Sequence, residues 1–124
     1  MQYVILVKRY QHLQTALSFC QACVDRQHTV LQVFFMDKAV WLANSLNIIA
    51  TDQFDLTNAW KKFATQNNIP FIICSTSSAK YGILSKKQAQ YFDKPYHILD
   101  PMFTVAGLTE CFAACQQADR VITF

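Results

Sequence analysis

Short, dense apolar runs alternate with apolar stripes along this chain. Residues 2–7 (QYVILV), 29–35 (TVLQVFF), 69–73 (IPFII), 96–99 (YHIL) and 120–124 (RVITF) have strand length and are rich in β-branched and aromatic side chains. Between them the spacing changes to that of helices. Ala16, Phe19, Cys20 and Cys23 fall at i, i+3, i+4, i+7 within residues 14–26. Leu56, Ala59, Trp60 and Phe63 share one face of 55–66, which opens on Asp55 as an N-cap. Leu108, Cys111, Phe112 and Cys115 do the same in 104–118, with Thr104 as the candidate cap, and residues 37–46 (DKAVWLANSL) predict a short helix. Strands alternating with helices imply βαβ units and right-handed crossovers. The runs are apolar throughout rather than alternating, which fits a sheet covered on both faces. The pattern therefore predicts an α/β fold of three layers, α/β/α, around a mostly parallel five-stranded sheet.

Composition narrows the class. The 124 residues are 52% hydrophobic and 15% charged, which suits one domain, 1–124, with its own core. No run approaches the roughly 18–20 apolar residues that span a bilayer. The opening MQYVILVKRY lacks a basic segment before its apolar run and a small-residue cleavage site, so it reads as a strand and not as a signal peptide. With five cysteines, an odd number, this predicts a reducing, cytoplasmic setting. The net charge is +3, but Lys8–Arg9, Lys61–Lys62 and Lys86–Lys87 are scattered pairs, not a nucleic-acid-binding stripe. With only Gly82 and Gly107 as glycines, neither a dinucleotide fingerprint nor a P-loop can be written. An anion-binding domain of flavodoxin-like shape thus has no motif behind it.

Cysteine is the residue type with chemistry to offer. Cys20/Cys23 and Cys111/Cys115 have spacings that could serve a four-thiolate zinc site, but each pair sits on an apolar helical stripe, where core packing is the simpler reading. Cys74 differs. It ends a buried strand, where reactive groups gather in open α/β sheets, and the small polar STSSAKYG follows it. A helix starting near Ser77 or Ser78 would favour a thiolate there, and Lys80 would add positive charge. Pattern alone leaves Cys74 equally a small core side chain or a reactive thiol. His12, His28 and His97 assemble no triad by spacing, and Asp52, Asp55, Asp100 and Asp119 read as caps and turn residues.

Four blocks together carry a resemblance. They are VFFMDKAVWLANSL (33–46), DQFDLTNAWKKFATQNNI (52–69), FIICSTSSAKYGIL (71–84) and DPMFTVAGLTECFAACQQADRVITF (100–124). Nearly end to end, the chain resembles the DsrE/DsrF-like sulfur-carrier family, most closely its TusD-like branch. It departs from that branch in 8–14 (KRYQHLQ), which lacks the usual glycine or proline, and in the serine-rich turn beginning at Ser75. The resemblance implies a DsrEFH-like fold and a sulfurtransferase subunit, with Cys74 as the persulfide carrier and Lys80 as an electrostatic helper. It implies no cofactor and no metal. It further implies TusB- and TusC-like partners in a heterohexamer, a TusA-like donor, a TusE-like acceptor and 2-thiolation of tRNA wobble uridine, without direct tRNA or membrane binding. The alternatives it leaves open are a DsrE-like role in dissimilatory sulfur oxidation and a non-catalytic assembly subunit. Aromatic residues in 91–103 suit an interface, including one between copies of the isolated chain.

Overall fold

Strands β1 (Gln2–Val7), β2 (Thr29–Phe35), β3 (Phe71–Cys74), β4 (Phe103–Ala106) and β5 (Arg120–Thr123) form one sheet in the order β4-β3-β2-β1-β5. Every neighbouring pair is parallel. The helices are α1 (Leu13–Asp25), α2 (Leu56–Asn67), α3 (Ser75–Lys80), α4 (Lys86–Tyr91) and α5 (Leu108–Gln117), with 3-10 turns at Tyr10–His12 and Asp37–Ala43. This computed structural model describes residues 1–124.

Strand periodicity divides the interior in two. Ile5, Val7, Val33, Phe35 and Ile73 point to one face and join Ala16, Cys20, Cys23, Trp60 and Phe63 in a core of 21 buried residues beneath α1 and α2. Aromatic rings interlock at its centre: Phe35 lies 5.3 Å from Trp60 and 5.4 Å from Phe71, both edge-on. The Trp60 indole donates to the Leu13 carbonyl at 3.2 Å, so the buried N–H is satisfied. Alternate residues of the same strands, Leu6, Phe34, Ile72 and Cys74, point to the other face, under α5. There only Phe34, Cys74 and Cys111 are buried in the cluster.

The caps follow the sequence in α2 and depart from it in α5. Asp55 accepts from the Asn58 amide at 3.0 Å, as expected of an N-cap. The helix ends at Asn68, which takes the left-handed conformation at φ 52°. The fourth strand is Phe103–Ala106 and not 96–99. Residues 96–99 contribute only Leu99, bridged antiparallel to Asn44, while the buried Asp100 holds the turn by accepting from the Met102 amide at 3.0 Å. Phe103 then pairs with Phe71. Thr104 is consequently a strand residue opposite Ile72 and caps nothing. The helix starts after Gly107, whose N–H donates to the Glu110 carboxylate at 3.0 Å. The β-branched pair Thr104–Val105 belongs to the pleated element that the helical spacing of 108–115 had concealed.

Candidate functional site

Cys74 is the last residue of β3, in register with Ala106 of β4, and the next residue begins α3. It lies at the carboxyl edge of a parallel sheet, where strand-to-helix turns bring backbone and side chains to the surface. Because Ile73 turns into the main core, Cys74 turns to the α5 face. Its side chain is 4% exposed and makes no capping hydrogen bond to α3. The helix begins at Ser75, two residues before the earliest start that the sequence suggests.

The serines after Cys74 fix the turn. Ser77 and Ser78 are buried. Ser77 Oγ accepts from the Asp37 amide at 2.9 Å, tying α3 to the turn that leaves β2. Asp37 is itself held at φ 50°, a conformation that a non-glycine residue adopts only with support from its surroundings. Ser78 Oγ donates to the Ile83 carbonyl and lies 3.1 Å from Gln88 Oε1, which also accepts from the Ser85 amide at 2.9 Å. Two of the four hydroxyls that suggested an open polar turn, those of Ser77 and Ser78, are thus spent on architecture. Of residues 75–78, Thr76 alone is exposed. A groove of about 390 Å³ runs outside it, lined by Ser75, Thr76, Ala79, Gln88, Phe92 and Val105.

A second thiol lies where spacing did not place it. Cys74, Phe34 and Cys111 of α5 form one small buried cluster, and the half-buried Cys115 packs at its margin with Leu6, Met36 and Ile72. Burial pushes the Cys111 thiol up to about 11, with Cys115 and then Cys74 adding to the effect. On the opposite face Cys20 is pushed up to about 12, first by burial and then by Cys23, and burial raises Cys23 as well. All five cysteines are free. The two sequence pairs therefore lie on opposite faces of the sheet and cannot share one ion. Three thiols from two elements instead meet on the α5 face. Helical spacing showed that Cys111 and Cys115 pack, but not that Cys74 is the residue they pack beside.

The other candidates lie elsewhere. Lys80 ends the six-residue α3 at its far end from Cys74, exposed, with its ammonium 5.5 Å from the Tyr81 ring centre. His28 Nδ1 is 3.0 Å from the Met1 amine, and His97 is exposed. His12 lines a crevice of about 570 Å³ with Lys8, Arg9, Asp37, Thr123 and Phe124.

Comparison with known proteins agrees with this architecture. The model of the DsrE/DsrF-like family matches residues 1–124. Proteins named Sulfurtransferase TusD from Salmonella dublin, Salmonella enteritidis and Salmonella arizonae are each 34% identical over 128 residues, covering all of this chain and all of the relative. The crystal structure of the ychN protein from E. coli superposes with a TM-score of 0.74 over the whole of both chains at 20% identity, a likeness of fold.

Proposed function

This chain belongs to the DsrE/DsrF-like family and is a sulfurtransferase, and we propose that it is a sulfur-relay subunit that carries sulfane sulfur as a persulfide on Cys74. The observation that carries the reading is the placement of Cys74: a thiol at the carboxyl end of an inner strand, on the turn into a helix, in the small cluster beneath α5.

The chemistry is exchange at sulfur. The Cys74 thiolate attacks the outer sulfur of a donor persulfide. The donor's S–S bond breaks, the donor leaves as a thiolate, and Cys74 holds the extra sulfur. An acceptor thiolate then attacks that same outer sulfur and Cys74 leaves as a thiolate. One S–S bond breaks and one forms at each step, so no external oxidant or reductant enters. The fixed Ser77 and Ser78 hold the turn so that Cys74 keeps its position through both steps. Lys80 adds a distant positive charge from the other end of α3 and acts as a weak helper.

The relatives' name supports sulfur transfer, and the resemblance to TusD-like proteins implies a TusA-like donor, a TusE-like acceptor, TusB- and TusC-like companions and 2-thiolation of tRNA wobble uridine as the setting. The exposed Tyr91, Phe92, Tyr96 and Phe112 suit contact with such companions. To test the reading, the purified chain is loaded with sodium tetrasulfide and the extra sulfur located by peptide mass spectrometry. Cys74 gains one sulfur mass, and Cys74→Ser abolishes uptake at that position and 2-thiouridine formation in cells relying on this chain. A Cys74→Ser chain that still supports thiolation overturns the assignment.

A further inference from the structure

We propose that Cys115 of α5 is a second sulfur carrier, exchanging the outer sulfur with Cys74 across the small thiol cluster beneath α5. The inference rests on the persulfide reading of Cys74. Two observations lead to it. Cys74 is only 4% exposed, so a thiol on another protein has almost no surface of it to meet. Cys115 is the one half-buried thiol of the cluster that holds Cys74. It lies one helical turn beyond Cys111, on the same stripe of α5. Exposure thus grades outward from the sheet to the margin of the helix.

Packing favours the exchange: Cys115 lies against the cluster that buries Cys74, and a persulfide extends the Cys74 side chain by about 2 Å. Cover on this side is thin: of α5 only Cys111 is buried, while Leu108 and Phe112 are exposed. Cys111, held protonated by burial and by its two thiol neighbours, is a poor nucleophile near neutrality and serves as an apolar spacer.

The step balances. Cys115 enters as a thiolate and attacks the outer sulfur on Cys74. The Cys74 S–S bond breaks, a Cys115 S–S bond forms, and Cys74 leaves as a thiolate. The transferred sulfur keeps its oxidation state and its own proton, so no oxidant or reductant is consumed. The reverse step loads Cys74 from outside through the same thiol.

The experiment follows sulfur after loading. The chain is treated with limiting sodium tetrasulfide, desalted, alkylated at intervals and digested, with fragment spectra separating Cys111 from Cys115. The expected result is sulfur that moves between Cys74 and Cys115 after desalting, with Cys111 unlabelled. Cys74→Ala keeps only the sulfur that Cys115 takes directly, which does not redistribute. Cys115→Ser, at a half-buried site that tolerates the change, still loads Cys74 but discharges to a protein thiol at least about fivefold more slowly. A loaded Cys74 with no sulfur ever on Cys115, or a Cys115→Ser chain that discharges at the unmodified rate, overturns the relay alone. A Cys74 that takes no sulfur overturns the persulfide reading and the relay with it.

Discussion

Cys74 and Cys111, separated in sequence by α3, α4, β4 and the first turn of α5, share one small buried cluster with Phe34 on the face of the sheet away from the main core. The proposed carrier thiol thus has a protonated thiol for a wall. Replacing Cys111 with Leu overfills that space. It should cost about 1–3 kcal/mol in urea denaturation and slow iodoacetamide modification of Cys74. Cys111→Ala should leave Cys74 alkylation as fast or faster, because it opens the wall. A Cys111→Leu chain as reactive at Cys74 as the parent contradicts the packing described.

Stability at high pH should report the other thiols. The folded chain holds Cys20 up to about 12 against an ordinary value of 9.0. A raised folded-state value makes the contribution complete below about pH 9 and lost as pH climbs toward 12, because the unfolded thiol ionises first. Across that window the Cys20 contribution falls by about 1.4 kcal/mol per pH unit. Urea midpoints measured from pH 8 to 11 should therefore drop more steeply for the parent chain than for Cys20→Ala.

The Lys61–Asp100 pair anchors the turn before β4. Lys61 Nζ lies 2.6 Å from Asp100 Oδ2, with the two side chains 37% and 10% exposed. Lys61→Met strips the buried carboxylate of its cation. Since Lys61 is partly in solvent, the expected loss is about 1–2 kcal/mol, below that of a fully buried pair. Thermal or urea unfolding measures it, and a neutral outcome would mean that Asp100 is satisfied by the Met102 amide alone.

Ser77→Ala removes the acceptor of the Asp37 amide. An unpaired, partly buried N–H at a positive φ should cost about 1–2 kcal/mol. It should also change the alkylation rate of Cys74, since α3 loses its tie to the turn after β2. Loss of stability with an unchanged Cys74 rate would separate the two roles.

Lys80→Ala should change Cys74 alkylation by less than about twofold, because α3 spans about 9 Å and the exposed ammonium is screened over that distance. A tenfold change would restore Lys80 as a direct electrostatic partner.

Periodicity made most of this fold legible. The runs at 2–7 and 29–35 are strands, as is 120–124 as far as Thr123, and the stripes at 14–26 and 55–66 lie in helices with their spaced residues buried or half-buried. Cys74 stands at the strand end that its apolar run marked. What spacing concealed has physical reasons. Phe103–Ala106 is a four-residue strand fused to a helix by one glycine, and it is stabilised by partners at Phe71 and beyond that no local pattern records. The α5 stripe reads as core, yet Leu108 and Phe112 are exposed, because this face of the sheet has a single helix over it. The meeting of Cys74 with α5 is a matter of topology. It follows from the crossover that carries the chain from one edge of the sheet to the other.

The parity of β3 has a consequence for chain length. Ile73 and Cys74 are neighbours that face opposite ways, and Val33 pairing with Phe71 fixes which is which. Slipping β3 by one position against β2 would carry the thiol into the main core and set Ile73 in its place on the α5 face. The approach to β3 from Asn68 can lengthen or shorten only if the extra residue is absorbed before Phe71, which makes that short connection a ruler for the position of the thiol.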